Sequence, residues 1–203
     1  MAMPLDLLLA LFAFAVVTCF TPGPNNLMLM TSGLNFGFGR TLAHVLGVAL
    51  GFSVMLLAMG FGIAGLFTAY PALYGVLRAV CIAYLLWLAW RIATAGPVKD
   101  GEVRGRPMTF LEAAAFQWVN PKGWAIALSA IATYIAADRL TVSVLIIAAM
   151  FGVVGFGSAA TWALFGTALR RILRNPRTVR GFNIAMALLL VASLVPILTD
   201  TWH

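Results

Sequence analysis

One lysine stands in the middle of a long apolar run. Lys122 follows Asn120-Pro121 and precedes Gly123, inside a stretch from 109 to 135 whose other charge is Glu112. A second unusual segment, Thr21-Pro22-Gly23-Pro24-Asn25-Asn26, also interrupts apolar sequence. Two prolines flanking a glycine remove two backbone donors and permit unusual dihedrals, so no α-helix runs smoothly through that segment. Asn before Pro is the pattern of a helix start, with Asn120 as N-cap and Pro121 as the first helical residue. Each segment therefore stops one helix and begins another. Breaks flanked by amides and a charge predict a binding region rather than mere kinks. Catalysis would need paired acids, a His/Glu metal constellation or a Ser/Lys dyad at one depth. The residues deep in apolar sequence offer essentially Lys122 alone, so no enzyme, cofactor or metal site is expected.

The elements that must position these groups are spans of a bilayer. Of 203 residues, 63% are hydrophobic and 9% charged, with mean hydropathy +1.00. A soluble domain carries about a quarter charged residues, so this chain lacks the polar surface to face water. Six apolar stretches are read at approximately 6–32, 42–67, 72–92, 109–135, 141–168 and 181–199, each near the ~20 residues a membrane helix needs. The first is a span, not a signal peptide: Asp6 precedes it, and no cleavage site follows. The net charge of +7 reports topology rather than nucleic-acid binding, because the basic residues sit between apolar runs. Cys19 and Cys81 fall inside apolar runs and read as small buried hydrophobes.

Orientation follows from the side that holds Lys and Arg. Arg40, then Arg91, Lys99, Arg104 and Arg106, then Arg170, Arg171, Arg174, Arg177 and Arg180 lie in odd-numbered connections or at their edges; the other side holds Arg139. The basic loops 33–41, 93–108 and 169–180 are thus expected in the cytoplasm and both termini outside. The breaks at 22–24 and 121–123 lie about half the chain apart, in the first and fourth spans. Three spans per half is an odd number, so the second half must be inverted. The expected fold is an all-α integral membrane protein of about six transmembrane helices. It comprises two inverted three-helix repeats, 1–95 and 109–203, joined by a linker at 96–108, with spans one and four broken near the midplane. Gly47 and Gly51, and Gly152, Gly155 and Gly157, are read as close-packing positions.

Lys122 is about 13 residues from either end of its span, or ~20 Å at 1.5 Å per residue, too far to snorkel. Mid-bilayer placement costs about 2.5–3.5 kcal/mol even on the lenient insertion scale. It should therefore face a cavity, a carboxylate or a substrate; the structural alternative is Glu112 or an exposed helix carbonyl. Glu112 and His44 are read as interfacial, each with a conceivable proton-relay role, and Met28 and Met30 as packing. Tyr84, Trp87 and Trp90 read as an aromatic belt.

Through Pro22-Gly23-Pro24, Asn120-Pro121-Lys122 and the run from Ala83 to Arg91, the chain resembles the LysE/RhtB (lysine exporter / homoserine-threonine resistance) superfamily of bacterial amino-acid exporters. The resemblance covers nearly the whole chain. It implies amino-acid efflux across the cytoplasmic (inner) membrane, driven by proton antiport. The Thr-Pro-Gly-Pro-Asn-Asn form is nearest the branch exporting small neutral amino acids such as threonine, homoserine or cysteine. No acidic residue lies between 42 and 67, which disfavours a cationic substrate. In this reading Thr21, Pro22, Gly23, Pro24, Asn25, Asn26, Asn120, Pro121, Lys122 and Gly123 form the substrate site. The new helix ends attract the carboxylate, and carbonyls at Thr18 to Phe20 and Gln117 to Val119 receive the ammonium. Glu112 or Lys122 carries the coupled proton. A passive small-solute channel and a non-transporting membrane scaffold are the rivals, and glycine-rich faces leave a homo-oligomer open.

Overall fold

The computed structural model describes residues 3–63, 70, 72–94, 105–135, 139–172 and 175–195. Lys99, Arg104, most of the 96–108 linker, the ends of the second and sixth expected spans, and the side chains of Arg78, Arg171 and Arg174 lie outside the described residues. The described residues form helices and short connections, with no strand among them. In chain order the helices are α1 (Leu5–Phe20), α2 (Pro24–Phe36), α3 (Phe38–Ala58), α4 (Ala72–Thr94), α5 (Phe110–Phe116), α6 (Pro121–Tyr134), α7 (Leu140–Ile172) and α8 (Pro176–Ala192). A π turn, Met59–Ile63, extends α3, and a 3-10 turn, Gln117–Val119, ends α5.

Both expected interruptions are present. α1 and α2 meet at a 55° bend, because Pro22 and Pro24 lack amide hydrogens and Gly23 is fully extended at φ −175° and ψ 179°. Asn120, extended at φ −92° and ψ 105°, separates the 3-10 turn from α6, which begins on Pro121. Phe38–Gly62 and Leu140–Arg170 are each long and apolar enough to cross a bilayer, with mean hydropathy 2.2 and 2.3, and the bent α1–α2 pair passes the same test as a unit.

Two expected loops are shorter than read. The connection at 33–41 reduces to Gly37, whose φ of +80° lets α2 turn directly into α3. The basic segment 169–180 is largely the end of α7 and the start of α8. Arginine is a good helix former, and Asn175 caps α8 by accepting the Arg177 N–H.

The molecule is apolar outside and partly polar inside. Leu111 and Val153 are each 75% exposed, while Asn26, Thr41, His44, Gln117 and Asn183 are buried. That is the arrangement of an all-α membrane protein, whose outer solvent is lipid. α7 is the central helix, packed on α1, α2 and α3; α5 packs on α3, and α4 on α8. At Gly33 an added Cβ would collide with the Ala163 carbonyl, and at Gly166 with that of Met30, so the α2 and α7 backbones touch directly. Gly47 and Gly51 similarly admit Phe110 and Ala114 of α5, and Gly152 admits Ser53. Gly155 and Gly157 differ from expectation: nothing approaches their Cβ positions within 4 Å. Gly155 instead borders a cavity beside the helix breaks.

Candidate functional site

That cavity, of about 60 Å³, is lined by Gly23, Asn25 and Asn26 from the first break and by Asn120, Lys122 and Gly123 from the second. Its volume suits a small solute or a few waters rather than a drug-sized ligand. The first N–H groups of any helix lack intrahelical acceptors. Here those belong to Asn25 and Asn26 at the start of α2 and to Lys122 and Gly123 at the start of α6. All four residues line the same cavity. Two positive helix ends and an ammonium-bearing side chain thus border one small space.

Lys122 is held at the first break. Its Nζ donates to the Thr21 carbonyl at 2.6 Å and to Thr21 Oγ1 at 2.9 Å, with the Pro22 carbonyl at 3.4 Å. Of the structural partners considered above, the helix carbonyl is realised and Glu112 is not. The lysine stem lies across Gly23: a Cβ there would come within 2.7 Å of the Lys122 Cδ. Glycine at 23 is therefore needed for the contact.

Asn26 braces the same corner from inside α2. Its Nδ2 donates to the carbonyls of Cys19 at 2.9 Å and Thr21 at 2.8 Å, and Ser158 Oγ of α7 adds a bond to Cys19 at 2.8 Å. Three of the carbonyls expected to receive a substrate ammonium are thus already engaged by the chain's own side-chain donors: Cys19 by Asn26 and Ser158, Thr18 by Thr21 Oγ1 at 2.9 Å, and Trp118 by the Trp124 indole at 3.0 Å. Asn120, which lines the cavity, carries a buried side-chain oxygen, Oδ1, without a partner. Replacing Asn26 by Leu removes both braces while keeping side-chain volume. At about 1 kcal/mol per hydrogen bond, the variant should lose about 2 kcal/mol and melt about 5 °C lower in detergent; an unchanged melting curve would show that the corner holds without it.

Of the expected residues, Thr21, Pro22, Pro24 and Pro121 shape the breaks, and the remaining six line the cavity. Glu112 lies apart. It closes a capping box with Thr109 and forms a two-pronged ion pair with Arg106, at 2.6 and 2.7 Å. His44 is 1% exposed, because neighbouring helices enclose the start of α3. Trp87 and Trp90 are exposed as a belt requires, and Met28 and Met30 are buried.

Sequence reasoning missed Gln117 as a side chain. Its amide exchanges hydrogen bonds with that of Asn25, at 2.8 and 3.2 Å, and so ties α2 to the turn before α6. It also missed the wall formed by Phe52 and Phe151, edge to face at 5.5 Å. A glutamine three residues before Asn120 is the sole sequence signal for the first. Nothing in the pattern marks the second.

The family model of the LysE type translocators matches residues 16–198. The cysteine/O-acetylserine efflux protein of Escherichia coli K12 is 33% identical over 193 residues, spanning 94% of this chain and 97% of the relative. Its counterpart from Salmonella typhi is 34% identical over the same coverage. No solved structure matches the chain. The two interrupted helices and the cavity between them are accordingly features of a member of a known group: the chain belongs to the LysE type translocator family.

Proposed function

We propose that this chain exports small neutral amino acids, of the cysteine or O-acetylserine kind named for its relatives, across the bacterial inner membrane by proton antiport. The observation that carries the reading is the convergence of both helix starts and Lys122 on one cavity. The carboxylate of a zwitterion is drawn to the N–H groups of residues 25, 26, 122 and 123 and to the Lys122 ammonium. The substrate ammonium turns to Asn120 Oδ1 and to the Thr21 carbonyl that Lys122 vacates.

This makes Lys122 a latch. Without substrate it joins α6 to the α1–α2 break, about a hundred residues away in sequence. When it turns to the carboxylate, that link between halves is released, and binding is coupled to movement. The halves are the two inverted three-helix repeats, 1–95 and 109–203 about the 96–108 linker, forming six spans with spans one and four broken near the midplane. Several contacts support this division: α3 meets α7, α4 meets α8, and α1–α7 contact is mirrored by α5–α3. The close α2–α7 contact has only a slight counterpart in α6–α3, the asymmetry expected when one of two access states is caught. The basic connections lie in the cytoplasm and both termini outside. Glu112 is tied to Arg106 away from the break cavity.

Proteoliposomes preloaded with labelled L-cysteine below the external concentration, under an imposed pH gradient, test the reading. Export against the concentration gradient is expected, and it collapses when a protonophore removes the pH difference. Downhill leakage alone would make the protein a channel.

A further inference from the structure

We propose that this chain holds a second polar binding station for its small amino-acid substrate, centred on His44 and Thr31 about 10 Å along α2 from the first. The proposal rests on the exporter reading and adds a site to it. A cavity of about 350 Å³ is lined by Thr31, Ser32 and Asn35 of α2 and by His44 of α3, with Arg91 and the Arg106–Glu112 ion pair at its border. Two of the lining residues carry buried polar atoms, Thr31 Oγ1 and both ring nitrogens of His44, that have no hydrogen-bond partner. Thr31 is 6% exposed and His44 1%. Leaving such groups unsatisfied is costly, and a neutral imidazole offers one donor and one acceptor at once. A hydroxyl, a carboxylate or an ammonium of a small zwitterion would satisfy them.

The neighbouring polar groups are already committed, so they frame the station rather than compete for it. Asn35 Nδ2 donates to the Thr31 carbonyl at 2.8 Å and to Asn183 Oδ1 at 3.3 Å, and Ser32 pairs with Thr41 at 3.1 Å. Arg91 lies over the Trp87 ring at 5.0 Å and leaves one unneutralised positive charge at the border, Arg106 being paired with Glu112.

Geometry joins the two cavities. Asn25, Met28, Ser32 and Asn35 are spaced three or four apart and share one face of α2; the first borders the break cavity and the other three this one. On α3, His44 borders the second cavity and Val48, one turn on, the first. Leu29, Val48 and Ala113 belong to one buried apolar cluster packed beside these helices. A solute passing along α2 would meet the polar station and then the paired helix starts.

The test uses the full chain in nanodiscs, labelled with 15N-histidine; His203 is the one other histidine and serves as reference. L-Cysteine should move the His44 ring resonances saturably. Thr31→Val should weaken that saturation about five- to tenfold, while Thr31→Ser retains it. The response should persist in Lys122→Met, whose export falls about a hundredfold. A His44 signal that ignores L-cysteine in an exporting wild-type protein overturns the station and leaves the exporter reading standing. An equal response to glycerol also overturns it, as the mark of a merely hydrated cavity. A saturable response in a wild-type protein that exports nothing upholds the station and sinks the exporter reading.

Discussion

Lys122→Met is expected to insert, fold and accumulate like the wild type while exporting at a rate lower by about a hundredfold, the loss of one charge-assisted contact of about 3 kcal/mol at the step where substrate is held. Methionine keeps most of the stem that lies over Gly23, so the packing at the first break survives. The Thr21 carbonyl also stays satisfied, because Asn26 Nδ2 donates to it at 2.8 Å independently of the lysine. Stability and transport should therefore separate. Lys122→Arg keeps the charge but brings a planar fork into a corner shaped for a single point of contact, and should restore only a minor part of the rate. The measurement pairs efflux from loaded vesicles with size-exclusion profiles of the extracted protein. Wild-type export by a well-folded Lys122→Met protein would remove the latch from the mechanism.

Gly33→Leu should fail at the earlier stage of folding. The Cβ of any residue at 33 meets the backbone carbonyl of Ala163, and the same holds reciprocally at Gly166 against Met30. Backbone cannot rotate aside as a side chain does, so α2 and α7 must separate along the contact that seats the first break. Glycine in a helix costs about 1 kcal/mol relative to alanine, and the substitution recovers that much. Overpacking of this kind costs about 3 kcal/mol, with lost α2–α7 contacts in addition, so the net sign is destabilising. A fall of the melting temperature of about 5–10 °C, or loss of monodisperse protein, is expected. Gly157→Ala is the control: its Cβ would meet nothing within 4 Å, and its melting curve should stay at or slightly above wild type. Equal behaviour of the two variants would show that the helices do not cross so closely.

Much of this was legible in the chain alone, for identifiable reasons. Proline acts locally, so Pro22, Pro24 and Pro121 announced the breaks at the positions where they occur. The lysine stood out because an ammonium in apolar sequence is costly wherever the helix packs. The glycines were half legible. Gly47 and Gly51 pack closely as expected, whereas Gly155 and Gly157 do not, since small size permits an approach without causing one. The burial of His44 was not legible, because its position near a helix start says nothing of the helices that enclose it.

The sequence by itself determined the solvent, the helical segments, the two interruptions and the residue types gathered there, because hydropathy and backbone restrictions are properties of neighbours along the chain. Tertiary structure decided what those residues touch. It brought Lys122 to the Thr21 carbonyl, paired Gln117 with Asn25, filled the vacated helix ends with Asn26 and Ser158, and left Asn120, Thr31 and His44 with unanswered polar atoms. Those pairings join positions up to about 140 residues apart. Such contacts depend on which helix faces meet in space, and no local spacing encodes that.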